Sequence, residues 1–139
     1  MGACLSSIID TIQVDDPSGF DAAVAAALEK AGEDCLVLVF VHGDAPGGVH
    51  WCEDTMAQKP IVDKVVPSAK KKIIMVDCPV TAASWKNNPS HPYRLHPHLA
   101  LKGSPTLLKW GKSGPVERLT EVQITEAAVT RMTSWSGAL

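Results

Sequence analysis

An α/β fold, a central mixed β-sheet flanked by helices on both faces, is predicted by two features of the 139-residue sequence. Two apolar runs, Cys35 to Val41 and Ile73 to Asp77, flank a helical stretch, Glu53 to Val66, and strand, helix, strand in that order implies a right-handed parallel crossover. Further on, Gly111 to Gly114 bounds a turn between Pro105–Trp110 and Val116–Leu119, which adds an antiparallel hairpin.

The length fits one domain at roughly 100 to 200 residues each, and we place it at 16–139, after an N-terminal segment 1–15. An apolar content of 45%, a charged content of 20% and a net charge of -2 exclude a disordered tail. They also exclude a nucleic-acid binder, which needs a basic face. The one basic run, Lys70 to Lys72, reads as a solvated strand entrance.

Each element has a local cause. Phe20 to Ala31 is rich in alanine and stops at Gly32, so it is a helix. Cys35 to Val41 is uniformly apolar and short, the mark of a strand covered on both faces at the centre of a sheet. His42 to His50 holds Gly43, Pro46, Gly47 and Gly48 and is a loop, closed by Trp51 and Cys52. In the helix that follows, Met56, Pro60, Ile61 and Val65 mark an apolar side, and Pro60 is expected to kink it. Prolines and asparagines between Pro79 and Pro97 predict a long loop anchored by Trp85 and Tyr93, with at most one short helix near Tyr93 to Leu95. Thr120 and Gln123 have the spacing of a capping box opening a last helix, on which Ile124, Ala128, Arg131 or Met132, and Trp135 fall at helical spacing.

Cys4, Cys35, Cys52 and Cys78 form no C-x-x-C pair, which fits a reducing compartment. No apolar run approaches the roughly 18 to 20 residues of a membrane span. The start, Met1-Gly2-Ala3-Cys4-Leu5-Ser6, satisfies M-G-x-x-x-[ST] and would expose Gly2 for myristoylation. A single myristoyl chain binds membranes marginally and needs a second signal. Residues 1–30 carry Asp10, Asp15, Asp16, Asp21 and Glu29 against Lys30 alone, so no polybasic patch is found there and a palmitoyl chain on Cys4 is the expected second anchor. The expected location is cytoplasmic, with a tether to the cytosolic face of a membrane when the start is acylated.

Strand, loop ending in Trp-Cys, helix with an internal proline, strand, loop, X-Pro hairpin and helix together resemble a thioredoxin-like fold. More narrowly, Trp51-Cys52-Glu53-Asp54-Thr55, Pro60, Trp85-Lys86-Asn87-Asn88-Pro89 and Ser104-Pro105-Thr106-Leu107-Leu108-Lys109 resemble the Clot family of thioredoxin-related cytosolic proteins, over about residues 35 to 135. The family's W-C-P-D-C site implies that Cys52 attacks a disulfide, with Trp51 and Asp54 beside it. Two departures fall inside that chemistry. Glu53 replaces the proline, and Thr55 replaces the second cysteine, which would resolve the mixed disulfide. The resemblance also implies that Ser104–Pro105 is a cis-proline turn facing Cys52, its backbone open to an extended substrate.

Thr55 can donate a hydrogen bond to a thiolate but cannot attack sulfur. At a helix start the dipole lowers the Cys52 pKa, while Glu53 and Asp54 oppose it with comparable energies of roughly 0.3 to 1 kcal/mol each. The sequence leaves the sign open, and a protonated His42 or His50 would tip it. Cys78 and Cys35 read as core. His91, His96 and His98 read as ordinary exposed loop histidines, since no cysteine or carboxylate stands at ligand spacing, and no metal or other cofactor is expected.

The expected function is a monothiol thiol-disulfide oxidoreductase acting on disulfide-containing proteins or small molecules, with glutathione or thioredoxin reductase as electron source. The alternative is a redox-inactive binding module that uses the 79–97 loop and the Ser104–Pro105 groove.

Overall fold

Strand β2, Cys35–His42, runs through the middle of the computed structural model, which describes residues 6–45, 49–50 and 53–134. Parallel to it lies β5, Lys72–Pro79, and antiparallel on its other side β6, Thr106–Gly111. Outside these sit β1, Ile8–Gln13, parallel to β5, and β7, Gly114–Thr120, antiparallel to β6. The order is β1-β5-β2-β6-β7. A two-stranded ribbon of β3, Asp44–Ala45, and β4, Val49–His50, continues from the end of β2.

Side chains alternate across a strand, and β2 shows why its whole run is apolar. Val37, Val39 and Val41 pack on one face with helix α1, Phe20–Ala31, through Ala23, Val24 and Ala27. Leu36, Leu38 and Phe40 pack on the other with α2, Glu53–Val65, and α5, Glu126–Ser134, through Val62, Val129 and Met132. On the α1 face Phe20 meets Tyr93 and Trp110 edge-on, each at 5.6 Å between ring centres. Helix α1 ends at Gly32, whose φ of +54° is open to glycine without a steric cost and whose N–H reaches the Leu28 carbonyl.

The structure departs from the sequence reading in four places. The segment 1–15, set ahead of the domain, supplies β1. A bulge between Ile8 and Asp10 shifts the register, so Ile8 packs on the α2 and α5 side and Ile12 on the α1 side. That break hides the two-residue period from the sequence. The 79–97 stretch holds two short helices, α3, Ala82–Trp85, and α4, Pro92–Leu95, rather than one. The first is capped by the Thr81 hydroxyl, which accepts from the Ser84 N–H at 3.2 Å. Gln123 does reach back to the Thr120 N–H at 2.9 Å, but it closes a 3-10 turn, Glu121–Gln123. Helix α5 starts separately, with the Thr125 hydroxyl accepting from the Ala128 N–H. Finally, His91 is buried, because its Nδ1 accepts from the Tyr93 N–H at 3.0 Å and caps α4. Pro60 does fall inside α2. Trp135 lies outside the described residues.

Candidate functional site at the carboxyl end of the sheet

Strands β2 and β5 finish together, with His42 opposite Pro79 in the register. On the other side of β2, Val41 pairs with Thr106, which brings Ser104 and Pro105 alongside the same strand end. The Ser104–Pro105 peptide is cis, as the family resemblance implies, and Ser104 is buried. Hydrogen bonds hold this turn. The Thr106 hydroxyl donates to the Gly103 carbonyl at 2.8 Å, and the Glu121 N–H donates to the Pro105 carbonyl at 2.8 Å. Gly103 lies against the Glu121 side chain, which would have to move aside for a Cβ at that position. The 3-10 turn carrying Glu121 packs in turn against α2.

Helix α2 starts at Glu53, the residue after Cys52, and contacts β4. The Trp51–Cys52 junction therefore belongs to the connection between the end of β2 and the start of α2. Asp54 and Thr55 occupy the first turn of the helix. Trp51 and Cys52, and the candidate acylation residues Gly2 and Cys4, lie outside the described residues.

The sequence singled out His42 but not its partner. His42 continues the Leu36, Leu38, Phe40 alternation, and Asp77 continues that of Ile73 and Met75, so both belong to the sheet face that α2 covers. The His42 Nε2 lies 2.9 Å from Asp77 Oδ1, and the imidazole stacks on Phe40 at 4.9 Å. Nothing in the sequence marks Asp77 beyond a carboxylate at the end of an apolar strand.

Neither remaining described thiol joins this site. Cys78 sits in the core on the α1 face, so the sheet stands between it and α2. Burial pushes its thiol up to about 12. Cys35 is half-buried at the opposite end of β2. Two of the three loop histidines have separate tasks. While His91 caps α4, His96 lies 2.7 Å from Asp21, and its Nδ1 accepts from the N–H groups of His98 and Leu99. Among the described residues no group of three or more His, Cys, Asp or Glu could hold a metal ion.

A mixed five-stranded sheet between α1 and the α2–α5 pair, with a cis-proline turn beside the end of its central strand, defines a thioredoxin-fold protein. A solved structure of Chlamydomonas reinhardtii thioredoxin f2 superposes with a TM-score of 0.55, at 17% identity, covering 88% of this chain and 92% of that one. Residues 17–133 match the family described as thioredoxin domain-containing protein 17-like, thioredoxin domain, and the chain belongs to that family. The thioredoxin-like protein Clot of Oryza sativa subsp. japonica is 30% identical over 115 residues, 80% of this chain and 83% of that protein. A Leishmania braziliensis protein named acireductone dioxygenase is 35% identical over 89 residues, 58% of this chain but 26% of that longer protein.

Proposed function

We propose that this chain is a thiol-disulfide oxidoreductase of monothiol type, with Cys52 as its nucleophile. The observation that carries the reading is the convergence of the Ser104–Pro105 turn, the end of β2 and the start of α2 at one end of the sheet. A thiolate at position 52 gains from the unpaired N–H groups and positive dipole end of α2. By the family resemblance, an extended disulfide-bearing substrate would lie along the Ser104–Pro105 turn.

In the proposed reaction the Cys52 thiolate attacks one sulfur of a substrate disulfide, forming a mixed disulfide and releasing the other sulfur as a thiolate. A glutathione thiolate then attacks the Cys52 sulfur, freeing the second substrate thiol and leaving Cys52 glutathionylated. A second glutathione releases Cys52 and departs as the oxidised dimer. The substrate disulfide gains two electrons and two glutathiones lose them. External thiols are needed because Thr55 cannot resolve the mixed disulfide and Cys78 lies across the sheet. Thioredoxin reductase is the other candidate source of electrons, and the cytoplasm, where glutathione is abundant, is the proposed location.

The replacement of both the proline and the second cysteine of the family motif, by Glu53 and Thr55, favours a second reading. In it the fold is a binding module that does not turn over, using the 79–97 loop and the Ser104–Pro105 groove. The pH profile of iodoacetamide labelling at Cys52 separates the two. A midpoint well below the roughly 8.5 of a free cysteine supports the oxidoreductase, and one at or above it supports the binding module.

A further inference from the structure

Between Asp77 and Glu117 the chain contains no acidic residue, and its cations there are Lys86, Arg94, Lys102, Lys109 and Lys112. Lys109 and Lys112 are answered by Glu117 and Glu33, at 3.7 and 3.9 Å. Arg94 and Lys102 form no ion pair among the described residues. The fold brings these two together. The Leu101 N–H donates to the Tyr93 carbonyl at 3.1 Å, so the next residue of each segment, Lys102 and Arg94, take neighbouring positions. Arg94 is half-buried and held in place, its guanidinium stacked on the Trp85 ring at 3.8 Å and its Nη2 donating to the Trp85 carbonyl at 3.3 Å. Its Nε is buried without a hydrogen-bond partner. Lys102 is exposed and leads through Gly103 into the cis Ser104–Pro105 peptide. Two residues of chain span at most about 7 Å, which keeps Lys102 beside the turn.

Resting on the Cys52 reaction given above, we propose that the preferred substrate is a peptide disulfide with acidic residues close to the reacting cysteine, whose carboxylates are received by Arg94 and Lys102. An extended peptide advances about 3.3 Å per residue, so side chains about two to four positions from the cysteine come within reach of this pair. A guanidinium already stacked on an aromatic face loses little freedom when it meets a carboxylate. Complementary charge at the edge of a groove selects among partners and speeds their encounter.

The groove is polarised. Its acids belong to the α2 side, with Glu53 and Asp54 in the first turn of that helix and Glu121 in the 3-10 turn that packs against it. The segment carrying Arg94 and Lys102 is rooted on the α1 side through Trp85, Tyr93 and Leu101. Acidic residues are therefore favoured on one side of the substrate cysteine and not on the other.

The test uses the full chain and disulfide-linked homodimers of short peptides. Each peptide has one cysteine and, about two to four positions before or after it, either aspartates or asparagines. Attack of the Cys52 thiolate on one peptide sulfur forms a mixed disulfide and releases the other peptide as its thiolate, and the intact mass of acid-quenched protein reads the rate. Aspartates on one side of the cysteine are expected to react roughly tenfold faster than the matching asparagines at low ionic strength, an advantage that shrinks as salt rises. Lys102→Glu, at an exposed position, is expected to abolish that ratio. Arg94→Gln, checked for folding by urea unfolding because Arg94 packs on Trp85, is expected to lower it roughly threefold. Equal aspartate and asparagine rates, aspartates that act alike on both sides, or a ratio that survives in Lys102→Glu would each overturn this inference and leave the Cys52 reading standing. Absence of an adduct with every peptide would overturn that reading, and this inference with it.

Discussion

The His42 imidazole and the Asp77 carboxylate meet at 2.9 Å at the carboxyl ends of β2 and β5, on the face that α2 covers. His42 is buried, so its Nε2 relies on a protein partner. Asp77→Ala removes that partner and is expected to cost about 1 to 3 kcal/mol, measured by urea unfolding. The double variant His42→Phe, Asp77→Leu replaces both polar groups by apolar ones, and its stability is expected to return most of the way to wild type.

Cys78 is expected to be silent in the native protein. With its thiol pushed up to about 12 by burial, the thiolate fraction at pH 8 is about one in ten thousand. Iodoacetamide followed by peptide mass mapping should leave Cys78 unlabelled in buffer and label it fully in urea. Labelling in buffer would show that the α1 face opens to solvent.

How far the sequence could be read depended on whether the relevant contact is local. The β2 run was legible because both faces are buried and every position from Cys35 to Val41 is apolar. The β6–β7 hairpin was legible from its glycines. Strand β1 was not, because its bulge moves Ile8 and Ile12 to opposite faces. His91 was misplaced because a helix cap inside a proline-rich loop has no sequence period. At the site, Ser104 and Pro105 came from motif resemblance, whereas the His42–Asp77 pair joins residues 35 positions apart.

Acid stability should depend on His91. Burial, with a smaller contribution from the Arg94 charge, holds its pKa below the ordinary value. A base depressed in the folded state binds its proton more readily when unfolded. Its stabilising contribution is complete above the unfolded value of about 6.5 and is lost as pH falls from there toward the folded value. Asp10 and Asp16 are also held low, by hydrogen bonds from Lys30 and from the Ser18 backbone, but they titrate at more acidic pH. The urea midpoint is expected to drop between pH 7 and pH 5. His91→Asn, which keeps a cap acceptor for the Tyr93 N–H but does not titrate, is expected to flatten that drop.

The strongest test of the site is to supply the sulfur that the family motif has and this chain lacks. A cysteine at position 55 would stand three residues after Cys52, helix-neighbour spacing, and could attack the mixed disulfide from within the same molecule. An intramolecular thiol acts at a far higher effective concentration than a free one. Thr55→Cys is therefore expected to raise insulin disulfide reduction at limiting external thiol by at least about tenfold, while Thr55→Ser, which restores no sulfur, stays at the wild-type rate. Should Thr55→Cys remain at the wild-type rate while Cys52 still labels readily, the deficit extends to Glu53. A carboxylate at that position would oppose the helix dipole's effect on Cys52, and the double variant Glu53→Pro, Thr55→Cys would then be the one to recover turnover. If that variant is also inactive, the Ser104–Pro105 end of the sheet serves binding alone.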